Sequence, residues 1–459
     1  MAGNLQTSTK VFNDPIHGHI ELHPLLICII DTPQFQRLRY IKQLGGQYYV
    51  FPGASNNRFE HSIGVAYLAG CLIEELRKRQ PELEINEQDV LSVQIAGLCH
   101  DLGHGPFSHL YDGRFMPLAA PGKKFQHEDA SLKMFDHLIN SNKLEDEMKN
   151  YGLVIPDDLI FIKELILGKK LNDNVKGRGK EKHFLYEIVA NKISGVDVDK
   201  MDYFARDCHH LGMQCNFDCK RFLTLARVCQ TSDGRHICLR DKEVWNMYDF
   251  FYTRYCLHQR AYQHRVTKVV EIMITDAFLK AHPHIKIKGS GEEYYTISGA
   301  VDDMDAYTLL TDNIFQQILH STDENLKEAR DILDRIQRRE LYVFVGETKR
   351  DAQSQTDIME TCERYKAELA QYNPELFNKD DFRVDIVVRN YGMKDKNPVT
   401  ELWFYRKTDP NNAYKIPQDQ VGRILPNVFQ ESFIRVYCTR MDQKEAAREC
   451  FEQWYKNLN

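Results

Sequence analysis

The sequence has no run of about 18 or more apolar residues, so no segment is expected to span a membrane. Its opening, MAGNLQTST, is polar and lacks the apolar core of a secretory signal. The 12 cysteines include no C-x-x-C pair, and CHHLGMQCNFDC fits no zinc-binding spacing. Reduced thiols in a cytosolic or nuclear protein are therefore expected. No G-x-x-x-x-G-K-[ST] loop is present, which excludes a glycine-rich cradle as the means of holding phosphate. The net charge of −6 excludes a protein that is basic throughout, although local basic patches are compatible with it. No internal repeat or low-complexity block stands out.

What is present is the composition of a protein with a full core: 42% hydrophobic and 27% charged residues over 459 positions. That length allows two or three ordinary domains, or one large domain with an added lobe. Residues 31–340 read mostly as helices. DTPQFQRLRYIKQLGG opens on Asp31, Thr32 and Pro33, repeats apolar residues at Phe35, Leu38, Ile41 and Leu44, and stops at Gly45-Gly46, which predicts a helix. HSIGVAYLAGCLIEELRKRQP predicts a second. NEQDVLSVQIAGLCHDLGHGP predicts a third, which opens on an Asn86/Asp89 capping box and is apolar nearly all round, as at the centre of a bundle. KKLNDNVKGRGKEKH (169–183) is polar and aperiodic and predicts a mobile loop. From about residue 341, LYVFVGE, FRVDIVVRN, TELWFYRK and FIRVYCTR read as strands, with helices such as TCERYKAELAQY among them. The expected fold is mainly α, a helical domain over 1–340 with a C-terminal α+β lobe over 341–459. Cys229 and Cys238 flank the turn signal SDG and are expected almost opposite each other on a hairpin, as an incidental thiol pair in preference to a redox switch.

The chemistry concentrates in LCHDLGHGPFSHLYDG (98–113), which crowds His100, Asp101, His104, His109 and Asp112 at the end of the buried third helix. One His-Asp dipeptide is about what chance supplies in a chain with 18 histidines, so the dipeptide alone proves nothing. Its position carries the weight. A carboxylate buried in the last turn of an apolar helix is costly unless paired, and a divalent cation compensates it. The negative end of the helix dipole favours the same cation. Imidazole with carboxylate suits iron, manganese or zinc, and oxygen-rich completion admits magnesium. RFEHSIG places His61 at the start of the preceding helix, and GVDVDKMDYFARDCHH carries Asp199, Tyr203, Arg206, Asp207 and His210 on one helix face. Spacing leaves open whether Asp197, Asp199 or Asp202 reaches the metal.

The ordered set His61, His100-Asp101 and Asp199 resembles the HD superfamily of metal-dependent phosphohydrolases. NDPIHGHIELHPLL, FPGASNNRFEHSIG, AGLCHDLGHGPFSH, VDVDKMDYFARDCHHLG and HQRAYQHRV resemble, from about residue 10 into the C-terminal lobe, the vertebrate triphosphohydrolases that join a sterile-alpha-motif domain to an HD domain. The matching part is their catalytic core. The resemblance implies His61, His100, Asp101 and Asp199 as metal ligands. It implies His109 as general acid toward the departing 5′-oxygen, Asp112 and His127 as supports of the catalytic histidines, and His104 as the group that neutralises phosphate. A substrate pocket is implied at Gln43, Leu44, Arg58, Lys200, Tyr203, Asp207, Arg254 and Tyr262, with Tyr262 against Leu44 leaving no room for a 2′-hydroxyl.

Two activator sites are implied as well. Lys10, Val11, Asp31, Gln36, Arg39 and Arg339 match a guanine-nucleotide site. Asn13, Arg221, Arg240, Lys242, Asn246, Arg260, His264, Arg265 and Lys407 match a deoxynucleotide site. Val343 stands where a lysine is expected and Leu225 where a phenylalanine is, departures that bear on activator strength more than on chemistry. Without the resemblance, Asp31 caps the helix that begins at Pro33, and Lys10 and Arg39 are surface charges. The implied reaction takes a deoxynucleoside triphosphate (dNTP) and water to a deoxynucleoside and inorganic triphosphate. A homotetramer activated by GTP or dGTP and by dNTPs performs it, in the nucleus or the cytosol. The rivals are another HD phosphohydrolase, such as a 5′-nucleotidase or cyclic-nucleotide phosphodiesterase, and a protein that sequesters nucleotides or single-stranded nucleic acid on a vestigial metal site.

Overall fold

Three helices carry the histidine stretch and its partners. The computed structural model describes residues 9–169, 174–350, 358–421 and 426–457. A hairpin of β1 (Lys10–Asp14) and β2 (Gly18–Leu22) precedes α1 (Pro24–Ile30) and α2 (Pro33–Gln36). α3 (Arg58–Arg79) opens on a capping box formed by Asn57 and Glu60. α4 (Glu87–Cys99) opens on the predicted one: Asn86 accepts from Asp89 N at 2.8 Å and Asp89 from Asn86 N at 3.1 Å. From Val90 to Cys99 every residue except Gln94 is buried, which makes α4 the central helix. α5 (His127–Ser141) and α6 (Asp157–Leu167) follow, and α3 and α6 both pack on α4. α7 (Val198–Leu211) is capped by Asp197 and lies against α3. Their approach needs Gly64, because a Cβ there would stand 1.9 Å from Asp202 Oδ1.

The helix expected over 31–46 is not continuous. α2 is a single turn, followed by a 3-10 turn at Arg37–Tyr40 and extended backbone at Ile41. Long-range bonds replace the helical ladder here: Arg58 N donates to Ile41 O at 3.0 Å and Gln43 N to Asn56 O at 3.0 Å. The cap of α2 is Thr32, whose hydroxyl accepts from Phe35 N at 3.3 Å; Asp31 is exposed and closes α1 instead. The 169–183 insertion also differs from expectation. Residues 170–173 lie outside the described residues, and beyond them the segment is anchored. Arg178 bonds Asp89 and Asp158 at 2.6 Å each, and Lys182 bonds Asp89 at 2.5 Å.

α8 (Cys219–Leu225) leads to the hairpin of β3 (Arg227–Thr231) and β4 (Gly234–Arg240), and α9 (Val244–Leu257) follows. The hairpin register sets Cys229 opposite His236 and Cys238 opposite Arg227, so the two buried thiols are diagonal neighbours and not a facing pair. α10 (Arg265–Ala281) packs on α11 (Lys327–Gln337). The C-terminal strands form as β5 (Val343–Arg350), β6 (Phe382–Asn390), β7 (Phe404–Arg406), β8 (Asp409–Tyr414) and β9 (Gln430–Cys438). α12 (Ile358–Ala370) and α13 (Lys444–Asn457) accompany them.

The chain divides into two compact units, and the division does not fall at residue 340. The first holds 1–253, 285–314 and 397–424; the second holds 254–284, 315–396 and 425–459. β7 and β8 return to the first unit because they close a small barrel with β3 and β4, in the order β8-β3-β4-β7. The second unit is built on the antiparallel sheet β5-β9-β6, against which α12 and α13 bury Leu369, Phe382, Ile434, Phe451 and Trp454. The fold is mainly α, with these strands added. Among the described residues no helix is long and apolar enough to cross a membrane.

Candidate functional site

α3, the end of α4 and the first turn of α7 bring His61, His100, Asp101 and Asp199 together. His61 Nε2 lies 3.4 Å from Asp101 Oδ2 and 3.2 Å from Asp199 Oδ1, and His100 Nε2 lies 3.4 Å from each of the same oxygens. The other ring nitrogens are committed, His61 Nδ1 to Asp202 Oδ2 at 2.7 Å and His100 Nδ1 to Gly97 O at 2.8 Å. Both Nε2 atoms are buried without a hydrogen-bond partner among the described residues, since the nearby carboxylates are poorly aligned with them. Two imidazole nitrogens and two carboxylates converging in this way fit a divalent cation that takes mixed nitrogen and oxygen ligands.

The three aspartates left open by spacing have separate positions. Asp197 caps α7 and bonds Lys200 Nζ at 2.9 Å. Asp202 lies behind His61, where it also accepts from Arg206 Nε and Nη2 at 2.9 Å and meets His17 Nε2 at 2.6 Å. Asp199 faces the two Nε2 atoms. Arg206 continues to Asp14 at 2.9 Å, so the turn of the β1–β2 hairpin buttresses the cluster. Sequence reasoning missed His17 and Asp14, because no local period links them to a helix about 185 residues away.

Burial pushes His61 down, but the carboxylates of Asp101, Asp199 and Asp202 gathered around its ring prevail and hold its pKa well above the ordinary imidazole value. His100 is raised against the same burial by Asp101 and Asp199. Burial acts to raise Asp199, yet His100 and His61 outweigh it and hold the carboxyl far below its usual range. Protons on these imidazoles occupy the place of a cation, so protons and metal compete.

A second group gathers His104, His109, Asp112 and His127. Asp112 Oδ2 lies 2.6 Å from His127 Nδ1, and its Oδ1 lies 3.5 Å from His109 Nδ1. His104 and His127 stack at 4.0 Å, and His109 meets them edge-on at 5.0 and 5.3 Å. Asp112 stands between the Nδ1 atoms of His109 and His127 and links these two rings through its two oxygens. The His109 side chain is 70% exposed whereas that of His104 is 1% exposed. Burial, then the charges of Arg58 and His127, push His104 well below the ordinary imidazole value. Burial opposes protonation of His127, but Asp112 prevails and raises it. An imidazole held neutral in this way can form a hydrogen bond but carries no countercharge.

The loop between the groups is tightly held. Phe107 and Ser108 have φ of 59° and 56°, a left-handed conformation that costs a non-glycine residue about 1–3 kcal/mol. Ser108 Oγ donates to Lys42 O at 2.6 Å and accepts from Arg58 Nε at 2.9 Å, while Arg58 Nη1 bonds Asp101 Oδ2 at 2.6 Å. The buried Arg37 donates to the carbonyls of Leu102, His104 and Leu310 at 2.9–3.0 Å, and so satisfies groups left open beyond the end of α4. A Cβ on Gly103 would stand 2.2 Å from His127 O, so glycine lets α5 reach the site. Arg37 was not legible in the sequence, where it sits on an ordinary helical period.

Of the implied pocket, Gln43 and Leu44 are buried, and Arg58 donates to Gln43 O at 3.4 Å. Tyr203 stands edge-on to His61 at 6.4 Å, and Asp207 accepts from Asn56 at 3.2 Å. Arg254 and Tyr262 belong to the second unit, where Arg254 donates to Asn390 O at 2.6 Å and Tyr262 packs edge-on to His258. Lys10, Val11, Asp31 and Arg39 are exposed in the first unit. Gln36 links Ile30 O to Arg39 Nε, and the Arg39 guanidinium lies 3.5 Å over the Phe59 ring. Arg339 is in the second unit, with φ of 63°. Arg221 bonds Glu243, Arg240 bonds Asp241 and Asn246 bonds Asp218, while Asn13, Lys242 and Lys407 are also in the first unit. Arg260, His264 and Arg265 are in the second, where His264 caps α10 and Arg265 lies over Phe344. Val343 opens β5, and Leu225 O accepts from Tyr405 OH at 2.9 Å.

Comparison with known proteins agrees with this geometry. The family model described as HD domain matches residues 58–207, which span all four converging ligands. The deoxynucleoside triphosphate triphosphohydrolase SAMHD1 of Xenopus laevis is 60% identical over 476 residues, covering 99% of this chain and 75% of the relative. The Homo sapiens protein of the same name is 58% identical over 463 residues, covering 98% and 74%. A homologue so named from Dictyostelium discoideum is 38% identical over 452 residues, covering 98% and 82%. Identity sustained over nearly the whole sequence, with the ligand cluster inside the matched domain, places this chain in the family of HD-domain deoxynucleoside triphosphate triphosphohydrolases.

Proposed function

We propose that this chain hydrolyses a dNTP to a deoxynucleoside and inorganic triphosphate. One observation carries the reading: the converging donors of His61, His100, Asp101 and Asp199 stand directly beside the relay of His104, His109, Asp112 and His127, where Arg58 and His104 both contact Asp101. Those four donors would hold the ion, and iron, manganese or zinc suits them, while magnesium would accompany the nucleotide phosphates. When bound, a divalent ion polarises a phosphoryl oxygen and favours ionisation of water. Arg58 sets a positive charge at the same edge, and neutral His104 donates a hydrogen bond to phosphate. His109 is exposed enough to meet substrate, and Asp112 at its Nδ1 leaves Nε2 to protonate the departing 5′-oxygen. His127, held by the other oxygen of Asp112, supports His104 and His109. Gln43, Leu44, Tyr203 and Asp207 bind the sugar, and Lys200 the phosphates.

The regulatory part of the reading is activation by GTP or dGTP at the Lys10, Asp31 and Arg39 site, by dNTPs at a second site, and assembly to a homotetramer. Two features support it. Asp31 is exposed and closes α1 through its backbone N–H, so its carboxylate can accept from both N1–H and the exocyclic amine of guanine. On α9, Trp245 and Tyr252 are 54% and 39% exposed, an aromatic stripe of the kind that association covers. Asp199→Ala tests the chemical part: turnover and bound metal are expected to be lost together, because the ion loses one of two anionic ligands. Full activity in that variant would take Asp199 out of the site.

A further inference from the structure

The loop from Asp101 to His109 must keep Phe107 and Ser108 left-handed, and Arg37 holds its carbonyl side at Leu102 and His104. Its amide side is held by Asp312, from a distant part of the same unit. Asp312 Oδ1 accepts from Phe107 N at 2.6 Å, Oδ2 accepts from Lys42 N at 2.8 Å, and Asp312 N donates to Tyr40 O at 3.1 Å. One side chain therefore ties the backbone that leads into Gln43 and Leu44 to the turn that delivers His109. The bond from Ser108 Oγ to Lys42 O closes the ring, and Arg58 extends it to Asp101.

We propose that Asp312 is a positioning residue for hydrolysis: by accepting two backbone N–H groups at once, its ionised carboxylate fixes His109 relative to the sugar and phosphate pocket. The proposal rests on the hydrolase reading of the site. A carboxylate accepts on both oxygens, whereas a protonated or amidated one turns a donor toward one of the two N–H groups. Loss of either bond frees the Phe107–Ser108 turn, and a displacement of about 1 Å at a catalytic group costs up to roughly 100-fold in rate. The charged and titratable groups facing Asp312 are Arg37 and Lys42 on the segment around the 3-10 turn, and Tyr49 beyond it. Burial raises this carboxyl to about 7, against the bonds from Phe107 and Lys42 and the charges of Lys42 and Arg37 that lower it. The clamp thus closes as pH rises through neutrality and opens as pH falls.

The test measures kcat and KM for the wild type and Asp312→Asn at saturating metal, from about pH 5.5 to about pH 8.5, with metal content recorded throughout. At about pH 8 the variant is expected to lose roughly 10- to 100-fold in kcat with metal content retained and KM within about threefold. The wild-type kcat is expected to rise through about pH 7 and the variant's to lack that rise. A variant with wild-type kcat, or one that keeps the wild-type rise, overturns the proposal. If Asp312→Asn does not fold, the wild type alone decides, and a kcat independent of pH between about 6 and 8 overturns it. A wild type inactive on every dNTP instead sinks the hydrolase reading, so the two failures are distinguishable.

Discussion

His61 joins two carboxylates through one ring: Nδ1 meets the buried Asp202 at 2.7 Å, and Nε2 faces Asp199 at 3.2 Å. Asp202 is anchored by Arg206 and cannot swing toward a cation, so it sets the tautomer and aim of His61. Asp202→Asn is expected to lower metal affinity by about 10- to 100-fold, the usual effect of losing such an orienting partner. Metal titration followed by calorimetry checks this, and an unchanged affinity would show that His61 needs no orientation.

The competition of protons with metal predicts a pH dependence with a definite sign. His61 and His100 have folded pKa values raised above the ordinary 6.5. Their protonation stabilises the metal-free chain fully below that value, and the contribution is lost as pH rises through the raised folded values. Asp199 is depressed, so its contribution is present above the ordinary carboxyl value of 3.8 and fades only in stronger acid. Metal-stripped protein is therefore expected to melt at progressively lower temperature as pH rises above about 6.5, and added manganese to restore it. A melting temperature that is flat over that range in stripped protein would contradict the assignment.

His109 is exposed, so its loss should not disturb packing. His109→Ala is expected to keep its fold and bound metal but lose about 100-fold or more in kcat, the scale of a positioned general acid. A raised KM with kcat intact would make His109 a binding residue.

Asp31 can now be tested without the ambiguity of a helix cap, since Thr32 caps α2. Asp31→Asn and Asp31→Ala are both expected to change stability by no more than about 0.5 kcal/mol. Both are expected to abolish activation and tetramer formation by GTP, because neither accepts both guanine donors. Sedimentation with GTP and with ATP checks this; GTP-driven assembly in Asp31→Asn would remove Asp31 from the activator site.

The sequence disclosed the features that depend on neighbours along the chain. The Asn86/Asp89 box and the all-round burial of α4 were legible because both are local, and so were four of the five strands from residue 343 onward, whereas β8 (DPNNAY) carries no apolar alternation and was not foreseen. The His100-Asp101 end of α4 was legible because a buried carboxylate needs a partner. What escaped were groups that act across the fold. Arg37, Asp312, His17 and Asp14 find their partners only when distant segments meet, and in sequence each is an ordinary polar residue of a helix or turn. The broken helix over 31–46 has the same cause: bonds from Arg58 and Gln43 replace a ladder that local propensity favours. The compact units do not follow chain order, and the return of 397–424 to the first unit has the same cause, since β7 and β8 pair with strands far upstream.

The position at which the phosphate chain is cut separates a triphosphohydrolase from every rival, and product analysis of dGTP turnover with manganese measures it directly. With the general acid on the 5′-oxygen, the products are deoxyguanosine and intact triphosphate in equal amounts, formed by the wild type and not by Asp199→Ala. Release of pyrophosphate or orthophosphate as the first product, or turnover that persists in Asp199→Ala, would contradict it.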